Sequence, residues 1–433
     1  MACFKGKKVL IAGLGVSGRA AKEALVSLGA EVAVRDDKLG YFPVAGSIYD
    51  MLVLSPGVPP DSEFIKEAKA AGSEIIGELE LSYRLCKGRF LAVTGTNGKT
   101  TTTSLLGEIL KNAGRDAFTV GNIGVPGCAV FKETKDESWL VTEASSFQLE
   151  TVMEFKPHIS AILNITPDHI DRHKNMRNYV NAKANIFMNQ DENDYFVVNY
   201  DDKQAYSLVP FCRAKSVPFS RAAELPYGAF VRGGMIVFSG ENGETMELCG
   251  SEELLIPGGH NLENALAAVA ASFSAGAGSE VIAETLRSFK GVEHRLEPCG
   301  KIGGVSFIND SKGTNPDASI KAIEAVAAPI ILIAGGYDKK SRFDDFIDSF
   351  NGKVKYMVLL GETAESIGDA AKIKGFSSFA IFKDMEECVG RAYKLAAPGD
   401  TVLLSPACAS FDMYTDFEER GRHFKECVVR IGE

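Results

Sequence analysis

Val93-Thr94-Gly95-Thr96-Asn97-Gly98-Lys99-Thr100-Thr101 contains the residue types that can hold a polyphosphate chain. An apolar strand runs into a glycine loop, and a lysine and a hydroxyl residue then open a helix. In such a loop the backbone N–H groups cradle phosphate oxygens, the lysine meets the β- and γ-phosphates, and the hydroxyl reaches magnesium. Position 92 is alanine, so the first glycine of G-x-x-x-x-G-K-[ST] is absent and the tighter G-x-x-G-K-T remains. Magnesium needs oxygen ligands, and Glu143 brings a carboxylate to the end of the apolar run 139–143. Its other reading is a helix-capping acid ahead of Ala144-Ser145-Ser146. His169 and His173 have metal-ligand spacing. His169, nearer the end of a strand expected over 159–163, is the favoured one.

Lys183 falls in the middle of an apolar stripe made by Met176, Tyr179, Val180, Ile186 and Phe187, mostly three or four residues away. Burial penalises the ammonium form, lowers the pKa and makes the neutral amine accessible. A neutral amine can act as a base or add carbon dioxide to give a carbamate. The alternative is snorkelling, with the stem buried and the ammonium in water.

A second candidate site begins at Gly13-Leu14-Gly15-Val16-Ser17-Gly18, which follows a strand and opens a helix. Glycines allow close approach to a phosphate, and the helix start offers unpaired N–H donors. Asp36, near the end of the next strand, could bond a ribose or another hydroxyl. Ser55-Pro56-Gly57 ends a third strand at the same sheet edge. About 88 residues leave little room for two mononucleotide halves, so a single nucleotide or a diphosphate fits better than a dinucleotide. The alternative is a turn that serves helix–strand packing only.

These residues need elements to position them. Runs such as Val9-Leu10-Ile11-Ala12, Ile330-Ile331-Leu332-Ile333 and Val402-Leu403-Leu404 are continuous and apolar, as expected of parallel strands covered on both faces. The fold class is therefore α/β, with ligand loops at the strands' C-terminal ends. The length of 433 residues suggests about three domains at ~150 residues each. Changes of pattern near Cys86-Lys87-Gly88 and Lys290–Glu293 divide the chain into 1–88, 89–292 and 293–433. Residues 230–237 read as a hairpin with a Gly-Gly turn. A net charge of −10 argues against broad adhesion to nucleic acid or anionic membrane. Nine cysteines without a CxxC pair suggest reduced thiols. With no signal-like segment and no apolar run of about 20 residues, a cytoplasmic protein is expected.

Taken together, these segments resemble the Mur ligases, ATP-dependent enzymes that add amino acids in peptidoglycan precursor synthesis. The resemblance runs in order along the whole chain. Beyond the loops at 13–18, 55–58 and 95–101 it includes Gly-Asn-Ile-Gly at 121–124, Glu-Ala-Ser-Ser-Phe-Gln-Leu at 143–149 and Asp-His-Ile-Asp-Arg-His at 168–173. Gly-His-Asn at 259–261, His-Arg at 294–295 and Asn-Asp-Ser-Lys-Gly-Thr-Asn at 309–315 follow. Ser-Pro-Ala-Cys-Ala-Ser-Phe-Asp at 405–412 discriminates most; it resembles the D-glutamate-adding branch rather than the diaminopimelate- or lysine-adding ones.

The resemblance implies three domains: Rossmann-like, P-loop-type ATPase and Rossmann-like. The implied activity joins D-glutamate to UDP-N-acetylmuramoyl-L-alanine through an acyl phosphate, with ATP giving ADP and phosphate, in a monomer. A folylpolyglutamate-type ligase is the nearest rival, but it needs no uridine-binding domain at 1–88. By the same resemblance, Lys99, His169 and Lys183 are catalytic. Thr100 and Glu143 hold one magnesium ion, and His169 with a carbamylated Lys183 holds a second. Gly95, Thr96, Asn97, Gly98, Lys99, Thr100 and Thr101 bind ATP, with Asn122, Asn261 and Asn264 on the adenine side. His294, Arg295, Asp310 and Lys312 are the ATP contacts of the third domain. Gly13, Leu14, Gly15, Val16, Ser17, Gly18, Asp36, Ser55, Pro56 and Gly57 serve the UDP substrate. Thr314, Ser410 and Phe417 hold D-glutamate, with either Lys339 or Lys340 on its side-chain carboxylate.

Overall fold

The computed structural model describes residues 4–37, 39–43, 47–122, 125–256, 258–338 and 341–432. The chain forms two compact units, one of residues 1–253 with 263–288 and the other of 254–262 with 289–433. The first unit carries two sheets and the second carries one.

The first sheet contains β1 (Lys8–Ala12), β2 (Glu31–Arg35), β3 (Met51–Leu54) and β4 (Glu74–Gly77), all parallel, in the order β2-β1-β3-β4. Val9, Ile11, Met51 and Val53 feed one apolar cluster, while Leu10, Ala12, Leu52 and Leu54 feed the cluster on the opposite face. Alternation along each strand thus fills both faces with apolar groups, which is why the runs read as continuous. The order reverses between β1 and β3, so the crevice beyond their ends is where a ligand fits this topology.

The second sheet holds β5 (Arg89–Thr94), β6 (Ala117–Gly121), β7 (Trp139–Glu143), β8 (Ile159–Ile162), β9 (Tyr195–Asn199), β10 (Lys215–Ser220), β11 (Gly228–Arg232), β12 (Met235–Ser239) and β13 (Thr245–Gly250). Its order is β13-β12-β11-β10-β9-β8-β5-β7-β6. From β6 to β11 neighbours are parallel; β11, β12 and β13 form an antiparallel extension. The β11–β12 turn is Gly233-Gly234, both at positive φ (55° and 84°), the backbone that a two-residue I′ hairpin requires. β5 lies between β7 and β8, which brings the ends of three strands together.

In the second unit, β14 (Glu297–Ile302), β15 (Val305–Asn309), β16 (Ile330–Ala334), β17 (Val354–Leu359), β18 (Phe379–Ile381) and β19 (Thr401–Leu404) are ordered β14-β15-β19-β16-β17-β18. Only β14 runs antiparallel. The parallel neighbours β15, β19 and β16 send the loops after 309, 404 and 334 to one edge. Apolar clusters cover both faces of this sheet as well. Among the described residues no helix is long and apolar enough to cross a membrane, and all the described cysteines are free thiols.

Candidate functional site

The loop after β5 is built by its own glycines and clamped from β8. Gly98, at φ 85°, caps the helix Lys99–Asn112, and a Cβ there would come 2.1 Å from Asn264 Oδ1, so the position admits only glycine. Asn164 holds both backbone polar groups of Asn97: its Oδ1 accepts the Asn97 N–H at 2.8 Å and its Nδ2 donates to the Asn97 carbonyl at 3.1 Å. The Thr96 hydroxyl lies 3.1 Å from the Tyr179 hydroxyl and donates to the Thr166 carbonyl at 3.0 Å. The loop is therefore fixed before any ligand arrives, which is the preorganisation that anion binding rewards.

Two lysines converge on that loop. Lys99 Nζ donates to the carbonyls of Gly95 and Thr96, each at 2.9 Å, and Lys183 Nζ donates to the same Gly95 carbonyl at 2.7 Å. Lys183 is only 2% exposed, with its ammonium 4.6 Å from the Tyr179 ring centroid. Snorkelling is thus overturned: the stripe carries the whole side chain inward, and the Gly95 carbonyl receives its head. Burial holds the pKa of Lys183 well below the usual lysine range; nearby Lys99 pushes the same way, and Asp168 and Glu143 push back.

Glu143, at the end of β7, is 1% exposed. Its Oε2 accepts the Thr100 hydroxyl at 2.8 Å and its Oε1 accepts Asn122 Nδ2 at 2.9 Å. Glu143 is not a helix cap: the short helix Ser146–Leu149 is capped by Ser145 in a reciprocal box with Gln148. Asn122, assigned to adenine by resemblance, orients this carboxylate, and Asn264 abuts the phosphate loop. His169 stands in the left-handed region at φ 54°, with its ring centroid 4.8 Å from that of Phe147. His173 is committed elsewhere: one ring nitrogen faces Ser146 Oγ at 3.0 Å and the other Glu150 at 3.1 Å.

At the first sheet, Gly18 permits the helix Val16–Ser27 to pass against the turn, since a Cβ would come 1.9 Å from the Gly13 carbonyl. Ser55 Oγ donates to that carbonyl at 2.8 Å, which joins the Ser55-Pro56-Gly57 turn to the glycine turn. Asp36 turns back on the loop, where Oδ2 accepts the Leu14 N–H at 2.7 Å and Oδ1 accepts the Leu39 N–H at 3.1 Å.

In the second unit, Asn315 caps the helix Pro316–Ala325 with Oδ1 on the Ala318 N–H at 2.8 Å, and Pro316 occupies its first position. Lys312 Nζ lies 5.0 Å from the Phe417 ring centroid, and Ser410 is buried. Arg420 ties the loops together, donating to the carbonyls of Ser311, Cys408 and Ala409 at 2.8, 3.1 and 3.1 Å. It lies in an ordinary charged helical pattern, so nothing local marked it for this task. His294 lies at φ 63° with Nδ1 2.9 Å from Asn309 Nδ2; burial lowers its pKa. Glu293, His294 and Glu297 are the one metal-capable trio among the described residues, but Lys425 already pairs with both glutamates. Lys339 and Lys340 lie outside the described residues.

Asp310 faces a hollow lined by His260, Arg295 and Lys321; His260 enters the sequence analysis only within Gly-His-Asn, with no role assigned, and no pattern there marks Lys321. Its carboxyl accepts Ser405 Oγ at 2.7 Å, and burial pushes its pKa from 3.8 up to about 6. Between those values the folded chain keeps a proton that the unfolded chain has lost, so stability falls as pH rises. The full cost, roughly 3 kcal/mol at most, is present above pH 6. Asp310→Asn is therefore expected to unfold at a higher temperature than the parent at pH 7.5 and to match it near pH 3.5. Equal differences at both pH values would refute the sign.

A glycine loop with lysine and hydroxyl, set at the C-terminal edge of a parallel sheet beside a strand-end carboxylate, defines a phosphate-loop nucleotide-binding α/β protein. The family model "Mur ligase middle domain" matches residues 93–272, and "Mur ligase, glutamate ligase domain" matches 294–408. A protein of Thermoanaerobacter sp. named UDP-N-acetylmuramoylalanine–D-glutamate ligase is 50% identical over 99% of each chain. One of that name from Clostridioides difficile is 47% identical over 99% of each chain. Among solved structures, UDP-N-acetylmuramate-alanine ligase MurC from Thermotoga maritima superposes with a TM-score of 0.65 at 20% identity, covering 98% of this chain and all of that one. At that identity the likeness is one of fold. The chain belongs to the Mur ligase family.

Proposed function

We propose that this chain joins D-glutamate to UDP-N-acetylmuramoyl-L-alanine in peptidoglycan precursor synthesis, with ATP converted to ADP and phosphate. The observation that carries this reading is the near-half identity, end to end, with relatives bearing that ligase name. The segments 1–88, 89–292 and 293–433 would take the uridine diphosphate end, ATP and the amino acid respectively.

The first step sets the substrate carboxylate against the γ-phosphate. Two unit charges 4 Å apart repel by about 4 kcal/mol at an effective dielectric of ~20, nearly three decades in rate. Lys99 opposes that repulsion from the loop. The oxygens of Thr100 and Glu143, hard donors already 2.8 Å apart and buried, suit one magnesium ion. His169 and Lys183 suit a second only if the amine becomes an anionic carbamate, and a desolvated neutral amine is the form that adds carbon dioxide. Bound magnesium would neutralise charge on the phosphoryl oxygens. The neutral amine of D-glutamate then attacks the acyl phosphate: the C–N bond forms, phosphate leaves and the amine proton departs to a base, a task for which His169 is poorly suited while it holds a metal.

Phosphate release with UDP-N-acetylmuramoyl-L-alanine, ATP and a panel of D- and L-amino acids tests the reading. Turnover is expected with D-glutamate. Turnover with L-lysine or meso-diaminopimelate but not D-glutamate would overturn it.

A further inference from the structure

Within the second unit, two residues other than glycine stand in the left-handed backbone region on either side of Arg295: His294 at φ 63° and Leu296 at φ 45°. That region is costly for any side chain and most costly for a bulky one. The turn is nevertheless held firmly. The His294 carbonyl accepts the Lys312 N–H at 3.0 Å, and the Leu296 N–H donates to Asp310 Oδ1 at 3.3 Å. The Leu296 side chain is sunk in an apolar cluster against the sheet. The His294 ring is seated on the helix Phe417–Gly432, where a Cβ at Gly421 would come 2.2 Å from its Nδ1. Arg295, between these two anchors, lines the hollow that it shares with His260, Asp310 and Lys321. Among the described residues its guanidinium makes no hydrogen bond and no ion pair.

One carboxylate completes that hold. Glu297 opens β14 and stands opposite Asn309, the last residue of β15. Its Oε2 accepts the His294 N–H at 2.9 Å and Asn309 Nδ2 at 3.1 Å, and its Oε1 accepts Lys425 Nζ at 3.0 Å. Lys425 belongs to the helix Phe417–Gly432, so Glu297 joins the turn, the sheet and that helix. Backbone strain that the surroundings over-determine in this way is a mark of ligand clamps. The hollow indicates the ligand's chemistry. Arg295 and Lys321 bring two positive charges against the one carboxylate of Asp310, which favours anionic oxygens. A guanidinium presents its donors in a rigid planar fork, so the direction in which the turn aims it decides how many it can give.

We infer that Glu297 is a positioning residue for the nucleotide: it fixes the strained turn that aims Arg295 at the anionic oxygens of ATP. This rests on the function proposed above. Both oxygens of Glu297 are spent inside the protein, so it acts through Arg295 and not on the ligand.

Equilibrium binding of the β,γ-imido analogue of ATP with magnesium to the full-length protein, measured by calorimetry, separates this inference from the question of turnover. Arg295→Met is expected to weaken binding by at least about tenfold, the scale of a lost charged hydrogen bond. Glu297→Met, similar in length but unable to accept a hydrogen bond, is expected to lose nearly as much. In the Arg295→Met background the same change is expected to cost less than about twofold, since the group it positions is gone. A role confined to stability would leave the two losses independent. Glu297→Gln keeps an acceptor for the His294 N–H and is expected to bind within about threefold of the parent. If Glu297→Met does not fold, Glu297→Asp takes its place in the cycle, because it keeps the charge but draws the acceptor back by one methylene. Losses that multiply, no loss in Arg295→Met or in the Glu297 variant of the cycle, or a Glu297→Gln as weak as that variant would overturn the inference. A parent that shows the expected coupling yet never releases phosphate with D-glutamate would overturn only the ligase reading.

Discussion

Lys183→Met is expected to unfold at a higher temperature than the parent at pH 7 and yet to lose turnover by about a thousandfold or more, the scale of one uncompensated charge at the phosphoryl group. The two effects have one cause. Lys183 is fully enclosed and its folded pKa lies well below that of an unfolded lysine. At neutral pH the unfolded chain binds a proton that the folded chain resists, so the side chain costs stability, and the cost grows as pH falls from the unfolded value. Methionine fills a similar volume without that cost. A variant that is firmer but inactive cannot owe its inactivity to unfolding. Lys183→Ala separates base from carbamate: it leaves a cavity beside the Gly95 carbonyl, which acetate or propionate can enter with a carboxylate near the carbamate's place. Partial recovery of rate with such acids is expected, as is a signal from isotopically labelled carbon dioxide that vanishes with the substitution. No rescue and no labelled adduct would remove the carbamate from the mechanism.

The stripe around Lys183 was legible because helical periodicity is local, but the fate of its head was not. Whether such a lysine snorkels or turns inward was decided by the Gly95 carbonyl, 88 residues away along the chain. The same division holds elsewhere. The phosphate loop, the Gly233-Gly234 hairpin and the Asn315-Pro316 cap were readable because each keeps its determinants within a few residues. The strand runs announced α/β because every face is covered. Asp36 is placed near a hydroxyl-bearing ligand by its position alone, and only the structure shows that its oxygens also accept the Leu14 and Leu39 amides. Gln148 completes the Ser145 cap within a few residues, whereas Glu78 bonds Ser82 and the Cys128 amide 50 residues on, a partner that no local pattern marks. Arg420 is more hidden still, since a buried guanidinium bonded to three carbonyls has the sequence signature of a solvated helix face.

Lys99→Ala is expected to lower kcat by about three decades, from the repulsion of roughly 4 kcal/mol that its charge offsets, with a smaller change in the KM for ATP. The asymmetry follows from where charge develops, since the terminal phosphoryl group must meet a second anion only as reaction begins. Lys99→Arg should recover little, because a planar guanidinium cannot reproduce a compact ammonium seated on the carbonyls of Gly95 and Thr96. The loss has a second source. Lys99 is the nearest positive influence depressing Lys183, so removing it makes Lys183 easier to protonate, and a protonated amine cannot add carbon dioxide. The lysines share one carbonyl and one electrostatic environment, so their substitutions must be non-additive. Lys99→Ala combined with Lys183→Ala is thus expected to cost far less than the product of the single losses, and added carbon dioxide should partly restore the Lys99→Ala variant. Rates that multiply would show two independent roles, and a kcat within tenfold of the parent would remove Lys99 from the phosphoryl step altogether.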